Sequence, residues 1–567
     1  MRFRVDQKNY FVSKILIYAF IIILPISSFL TYTHAQEESN EYWDSIILTG
    51  KTLTLTDVVN VARSNAHITI SAPALKRVED SNLLLKAALT KDIPAYGLKK
   101  ITDFWQESVD VTEISPGDNE TGALEDPNIK TLIELSQNSG VPFNKEVVRA
   151  ALLIRLNTIL TGSTGATVEL AAILRDFLNK NIYPVSTEPY LMTKKDVINP
   201  AIIALAMTGK GMVYYNGKKM VSGIALKQAG IKPIRFTAVD AHVMLENNSI
   251  AAAYTVLITN DFSLLIDNAE IVYAMTLEGS GGSICSLYES NLQLQPYKGL
   301  LKSAIRIKQH LAGSYILEGS NLLSNNKDNF DLSSGVWELG KAREVLDLID
   351  RNISIKINSP DADPVVQVDA NIEAAKSSFK SINSIRTKDL TGLIYPSQAF
   401  DKAYWAGDIL SITTASAGIL FSSNQRIEAM HSKGVLQKQN IINFMEQFNN
   451  DTKRYYSSIL YSDYSIKNNN TNMINTDFAV TYEQLQIMIE KLYFIITTEA
   501  IMSAEMMDLK KKEEPSGQIT FGKGTTSALG ALRAIVPFIE KDNQFAKYIN
   551  KAFHFIKSGD LKKALMK

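Results

Sequence analysis

The longest run of apolar residues at helical spacing, from Thr481 to Asp508, sets the strongest limit on how this chain folds. As a helix it would reach about 40 Å at the usual rise per residue, a length that suits the centre of a helical bundle. Met488, Met502, Met506 and Met507 within it read as flexible core filler rather than a ligand surface. Further helices are expected over Ala201 to Met207, Ala251 to Leu277, Gly299 to Leu311, Trp337 to Asp350 and Tyr404 to Ala429. Two more, ending near Leu160 and beginning near Val168, flank the turn Gly162-Ser163-Thr164-Gly165. Between Thr54 and Leu89 a strand-like patch, Ile68-Thr69-Ile70, separates two helical patterns, the second opening on Ser71 as N-cap with Pro73 in its first turn. Lys510 to Glu514 is expected to close the long helix as a solvated turn, and Gly279 to Ser283 to be a flexible connector. Surface loops are expected at the acidic stretch from Asp103 to Pro127 and at the Asn-rich stretches near Asn325 and Asn468.

Composition excludes several classes of function. Lys plus Arg and Asp plus Glu both total 59, so nothing in the net charge marks a nucleic-acid partner. The single cysteine, Cys285, allows neither an internal disulfide nor a thiolate cluster. No two of His67, His242, His310, His431 and His554 stand four apart, and none sits beside a glutamate in a zinc-binding helical pattern, so no metal site is expected. Gly517, Gly522 and Lys523 imitate a phosphate loop, but Gly524 stands where Ser or Thr is needed. There is no Gly-x-Ser-x-Gly elbow.

Residues 1–35 read as a secretory signal peptide, with an uncleaved anchor spanning Ile15 to Tyr32 as the alternative. Arg2, Arg4, Lys8 and Lys14 precede an apolar run from Ile15 to Leu24, and small residues around Thr33-His34-Ala35 mark a cut before Gln36. Removing them leaves 55 cations against 58 anions, a net charge of −3, in an exported chain, periplasmic or secreted. No other stretch reads as long and apolar enough to span a bilayer, so no membrane partner is expected after cleavage.

Several blocks, in order from about residue 53 to 560, resemble the aromatic amino acid ammonia-lyases, the family of histidine and phenylalanine ammonia-lyases and related aminomutases. They include Leu53-Thr-Leu-Thr-Asp-Val-Val-Asn-Val-Ala-Arg63, Asp92-Ile-Pro-Ala-Tyr-Gly97, Ser139-Gly-Val-Pro142, Glu146-Val-Val-Arg-Ala-Ala-Leu-Leu-Ile-Arg-Leu-Asn157 with Gly162-Ser-Thr-Gly165, Gly209-Lys-Gly211, and Asn358-Ser-Pro-Asp-Ala-Asp-Pro364. The resemblance implies a mainly α subunit of the fumarase and aspartase type, a long-helix bundle with a smaller N-terminal α+β portion. Residues 36–250 would form the N-terminal domain and 251–567 the bundle and C-terminal helical region. It also implies a homotetramer with active sites built at subunit contacts.

Catalysis in that family uses a methylidene-imidazolone electrophile made from an internal Ala-Ser-Gly, whose serine must lose its hydroxyl and whose glycine must be unhindered. Counting back from Gly209-Lys-Gly211 puts Thr193, Lys194 and Lys195 at those positions, so the group is not expected and the chain carries no cofactor. Tyr96 stands where the family's loop tyrosine belongs and is the one candidate catalytic residue. Gln137 replaces a histidine, Glu246-Asn247-Asn248-Ser249 stands for Asn-Gly-Thr-Gln, and Phe330-Asp-Leu-Ser333 for Tyr-Ser-Leu-Arg. Without an arginine at Ser333, a charge-assisted grip on a substrate carboxylate, about 1.5 to 3 kcal/mol, is lost. Ala399-Phe400-Asp401-Lys402 stands for Asn-Phe-His-Gly. The expectation is an inactive relative that binds a small amino-acid-like ligand or serves as a structural oligomer. Two alternatives stand beside it: an enzyme whose pocket Lys194, Lys195 and Tyr96 do different chemistry, or an active histidine or aromatic amino acid lyase with a cryptic site.

Overall fold

The computed structural model describes residues 45–91, 140–142, 144–185, 187–189, 198–245, 247–318, 334–361, 364–378, 383–396, 405–433, 435, 474–513, 519–539 and 542–566. The signal-peptide segment lies outside these residues. In the described chain, β1 (Ile46–Leu48) pairs in parallel with β2 (Ile68–Ile70) around α1 (Leu55–Ser64). Thr54 starts α1 with a capping box: its hydroxyl accepts from Asp57 N at 3.1 Å, and the Asp57 carboxylate accepts from Thr54 N at 3.0 Å. Helix α2 (Ala72–Thr90) follows, and Ser71 is its N-cap residue, although the Ser71 hydroxyl makes no capping bond. Next come β3 (Gly140–Pro142), α3 (Lys145–Ile159) and α4 (Val168–Asn179), then β4 (Tyr183–Pro184), β5 (Thr187–Pro189) and α5 (Ile198–Met207). The hairpin β6 (Met212–Tyr215) and β7 (Lys218–Val221) leads into α6 (Ser222–Ala229) and α7 (Ala238–Leu245).

The second half supplies the long helices: α8 (Ser249–Ser280), α9 (Lys298–His310), α10 (Gly335–Ile357), α11 (Ser411–Ser432) and α12 (Ile474–Glu513). A three-stranded antiparallel sheet of β8 (Val365–Val368), β9 (Asn383–Arg386) and β10 (Thr391–Tyr395), with β10 central, interrupts them. Helices α13 (Lys523–Arg533) and α14 (Asp542–Lys557) and the short α15 (Asp560–Ala564) close the fold. The core runs unbroken from α1 to α4 into the bundle of α8, α10, α11 and α12, and residues from Ser45 on form one compact unit.

Contacts fix the helix directions. The Tyr254 and Tyr482 rings meet, tilted, with centres 4.2 Å apart, and near the other ends Gly279 lies against Met506, so α8 and α12 run parallel. Asn352 donates to Asp408 at 2.6 Å while Gly335 adjoins Arg426, so α10 runs antiparallel to α11. Met488, Met502, Met506 and Met507 are buried, as expected of core filler.

Some boundaries differ from the sequence reading. Helix α12 extends through Lys510, Lys511 and Lys512 to Glu513, so this run is not a turn; Lys510 lies 5.0 Å from the Tyr315 ring centre and Lys512 4.1 Å from that of Phe538. Gly279 and Ser280 belong to α8, which ends only at Gly281, in the left-handed region at φ 64°. A side chain on Gly279 would meet Met506, so this glycine serves close helix packing rather than flexibility. By length and composition the stretch Ala238–Ser280 is apolar enough to cross a membrane, which corrects the expectation that only the N-terminal run is. Yet 72% of its most apolar window is buried inside the fold, as befits a core helix.

Candidate functional site

The candidate residues Tyr96, Gln137, Thr193, Lys194, Lys195, Glu246, Phe330 and Ser333 all lie outside the described residues, as do Ala399 to Lys402. Described are the elements that bracket them. The antiparallel pairing of β3 with β5 sets Gly140 opposite Pro189 and Pro142 opposite Thr187. Helix α5 starts at Ile198, three residues past Lys195, and α7 and α8 bracket Glu246 between Leu245 and Ser249.

The α7–α8 junction is buried and polar. Asn247 donates to Met244 O at 2.7 Å and accepts from Ser249 N at 2.9 Å, so its amide shapes the entry to α8. Asn247, Asn248 and Ser249 are all buried, and among the described residues the Ser249 hydroxyl has no hydrogen-bond partner.

An ion-pair cluster lies beside this junction. Arg155 donates to Val243 O at 2.5 Å and to Asp361 at 2.6 Å, and Lys356 donates to the other Asp361 oxygen at 2.7 Å. Burial alone would push the Asp361 carboxyl up, but Lys356 and Arg155 outweigh it and hold it well below the usual carboxylate range. Asn157 accepts from Gly50 N at 3.0 Å and donates to Ile357 O at 2.8 Å, and Asn358 accepts from Leu53 N at 2.8 Å. The amides and charges in the most recognisable blocks thus tie α3, α7 and the end of α10 together. In the turn after α3, Gly162 and Gly165 take positive φ, 77° and 71°, and any side chain on Gly165 would strike Leu85.

The other end of α8 holds a second buried polar cluster. Arg426 donates to both oxygens of Glu499, at 2.6 and 2.9 Å, and Glu499 also accepts from Thr276 at 2.7 Å and from Ser423. Ser503 and Thr276 share a further 2.7 Å bond. Burial pushes the Tyr273 hydroxyl up to about 12, and the Arg426 guanidinium lies 4.9 Å from the Tyr273 ring centre. With its acceptor positions filled from inside the bundle, Glu499 is a tie between α8, α11 and α12 rather than a free base. Gly335, two residues after Ser333, seats α10 against this cluster.

The family model for aromatic amino acid lyases matches residues 53–534. This chain belongs to the aromatic amino acid lyase family. A histidine ammonia-lyase from Treponema denticola is 31% identical over 353 residues, covering 61% of this chain and 67% of that protein. Another from Myxococcus xanthus is 23% identical and covers 91% of this chain and 97% of its own length. The fold is similar to that of an ergothioneine-degrading enzyme from Treponema denticola, with a TM-score of 0.71 at 22% identity over 91% of this chain and 99% of that one. Phenylalanine aminomutase from Pantoea agglomerans gives a TM-score of 0.71 at 18% identity, covering 90% and 99%. The expected mainly helical lyase fold is thus the one observed.

Sequence reading missed both buried clusters, because Arg155, Asp361, Arg426 and Glu499 each look like a solvated charge when read alone. The available signal was position. Arg155 stands between Ile154 and Leu156, and Glu499 follows Ile495 and Ile496 on a helix apolar almost all round. Among the described residues no three His, Cys, Asp or Glu side chains converge as a metal site.

Proposed function

We propose that this lyase-family chain has lost ammonia-lyase chemistry and works as an exported homo-oligomer that binds a small amino-acid-like ligand. The observation that carries the reading is the absence of Ala-Ser-Gly anywhere in 567 residues, with Thr193-Lys194-Lys195 at its place. The residues present do not fit the family's electrophile: Lys194 has no hydroxyl to eliminate, and the Lys195 side chain hinders the ring closure that glycine permits. The loss of arginine at Ser333 and of histidine at Gln137 removes two further pocket functions.

The oligomeric part of the reading rests on distance. Ser249 and Tyr273 are 24 residues apart on α8, about 36 Å along its axis. Ser249 brackets Glu246, whereas Gly335, which adjoins Tyr273, follows Ser333. At about 3.5 Å per residue, two or three residues of chain do not close that gap. This separation of Ser249 from Gly335 supports a reading in which a pocket drawing on the Glu246 and Ser333 positions takes them from different copies of the chain. Ligand class follows from the named relatives, which act on histidine and related amino acids.

The test uses the chain from Gln36, which contains the whole compact unit. Intact mass equal to the encoded mass, no urocanate from histidine, no cinnamate from phenylalanine, and a thermal shift with an aromatic amino acid or its deaminated product are expected. Loss of two waters, or turnover, would end the reading. Borohydride trapping of a carbonyl compound on Lys194 or Lys195 would replace it with altered chemistry.

A further inference from the structure

The balanced net charge conceals a strongly one-sided segment. Between Val197 and Val239 the chain carries Lys210, Lys218, Lys219, Lys227, Lys232 and Arg235 and not one carboxylate. Five of these cations are exposed and Lys210 is half-exposed, and no ion pair among the described residues takes up any of them.

The segment is built around a rigid hairpin. Asn216 and Gly217 take φ 49° and 73°, the two positive values that a tight two-residue turn between twisted strands requires. The register pairs Met212 with Val221, Val213 with Met220, and Tyr214 with Lys219. Alternation then gives the sheet two unlike faces. Val213 is fully buried and Met220 partly so on the inner face, while Met212 and Val221, 38% and 45% exposed, stand together on the outer one beside Tyr214 and Lys219. The pairing of Tyr183 with Tyr214 extends that outer face, their rings stacked at 5.2 Å with Lys145 5.5 Å from the Tyr183 ring centre. Val221 is also the N-cap of α6, so Ile224, 52% exposed, continues the apolar strip three residues on, with Lys227 one turn beyond.

We propose that this outer face of β4, β6, β7 and α6 docks on an anionic phospholipid surface. Apolar side chains between lysines, on a face with no carboxylate from its own segment, complement a bilayer of acidic headgroups: the cations meet the lipid charge, while Met212, Val221 and Ile224 reach the headgroup boundary and Tyr214 supplies the ring that favours that depth. Nucleic acid would use the cations but leave the apolar strip unexplained. The inference is independent of any lyase activity, and it replaces the expectation that the processed chain has no membrane partner.

The experiment is sedimentation of the chain from Gln36 with phosphatidylcholine vesicles, with and without phosphatidylglycerol. Binding is expected only with phosphatidylglycerol, and it should weaken as added salt shortens the screening length from about 10 Å to about 3 Å. With about fivefold in affinity from each cation near such a surface, Lys219→Glu with Lys227→Glu should cost at least about tenfold. Met212→Ser with Ile224→Ser should weaken binding as well, and unchanged melting temperatures would show that all variants fold. Equal binding to both vesicles, or none, overturns the proposal. So does a lysine variant that weakens duplex DNA binding while the apolar variant has no effect on vesicles, which would mark a polyanion surface. A shift of the variants to a smaller assembly in light scattering would mark a contact between copies and overturn it too.

Discussion

Gly335 sits so close to Tyr273 that a β-carbon placed on it would lie 2.6 Å from Cε2 of the ring and 2.8 Å from Nη1 of Arg426. Replacing it with alanine sets two effects against each other. Alanine favours a helical backbone by about 0.5 to 1 kcal/mol, whereas overpacking a filled core costs about 1 to 3 kcal/mol. Neither the Tyr273 ring nor the Arg426 fork, fixed by Glu499, is a loose chain end, so overpacking wins. Gly335→Ala is expected to lower stability by about 1 to 2 kcal/mol in denaturant unfolding. An unchanged midpoint would mean that α10 is not seated on this cluster.

Asp361 is ion-paired with both Arg155 and Lys356 in a site with almost no solvent. Asp361→Asn leaves two buried cations against one neutral amide, and breaking such a cluster costs about 3 to 5 kcal/mol. The pH dependence has a defined sign. The folded carboxyl titrates below the unfolded one, near 3.9, so its contribution is complete above that value and is lost as pH falls through the folded value. Acid unfolding of the native chain should steepen below about pH 4, and the Asn variant should lack that part of the slope. Parallel acid curves for the two proteins would refute the assignment.

These clusters show what could be read in advance and what could not. Long helices were legible because α8 and α12 repeat apolar residues over many turns, and the turn at Gly162 to Gly165 because two glycines bracket it. Strands of two to five residues, such as β4 and β8, are too short to establish a period of two. Arg149 is a further case: fully buried, it donates to Val61 O at 2.8 and 3.1 Å and to Leu178 O at 3.1 Å, capping the ends of α1 and α4 together. Most of its acceptors are main-chain carbonyls, with Asn181 Oδ1 at 3.1 Å beside them, and no side-chain motif announces such a set. The same holds for the distance between Ser249 and Gly335. Which blocks resemble the family can be read along the chain, but that two of them stand at opposite ends of α8 depends on the direction of α10.

Glu278 should act in the opposite sense to Asp361. Burial pushes its carboxyl up, and the bond from Gly522 N together with the nearby Ser314 and Thr525 hydroxyls only partly offsets this. Between the unfolded and the folded value, the folded state keeps a proton that the unfolded state has released, so stability falls as pH rises through that interval. Glu278→Gln copies the protonated form and can still accept from Gly522 N, which lies 2.6 Å from Oε1. The variant is expected to melt above the native protein at neutral pH and together with it in acid, below the unfolded carboxyl value. A variant that melts lower at neutral pH would show that the charged carboxylate is what holds the start of α13.

The last prediction concerns the place assigned to the missing tripeptide. Thr193→Ala, Lys194→Ser and Lys195→Gly together restore both requirements at once: a β-hydroxyl able to leave, and a residue that allows the backbone to close on itself. The β3–β5 ladder and the start of α5 at Ile198 frame this segment on both sides, and neither is altered by the three substitutions. If the register of Gly209-Lys-Gly211 assigns these positions correctly, the triple variant should lose two waters by intact mass while the native chain loses none. Turnover should stay absent even then, because Ser333 still offers no cation for the substrate carboxylate and Gln137 no imidazole. Water loss without activity would separate the missing electrophile from the missing pocket, and a variant at its full encoded mass would move the tripeptide position elsewhere in the chain.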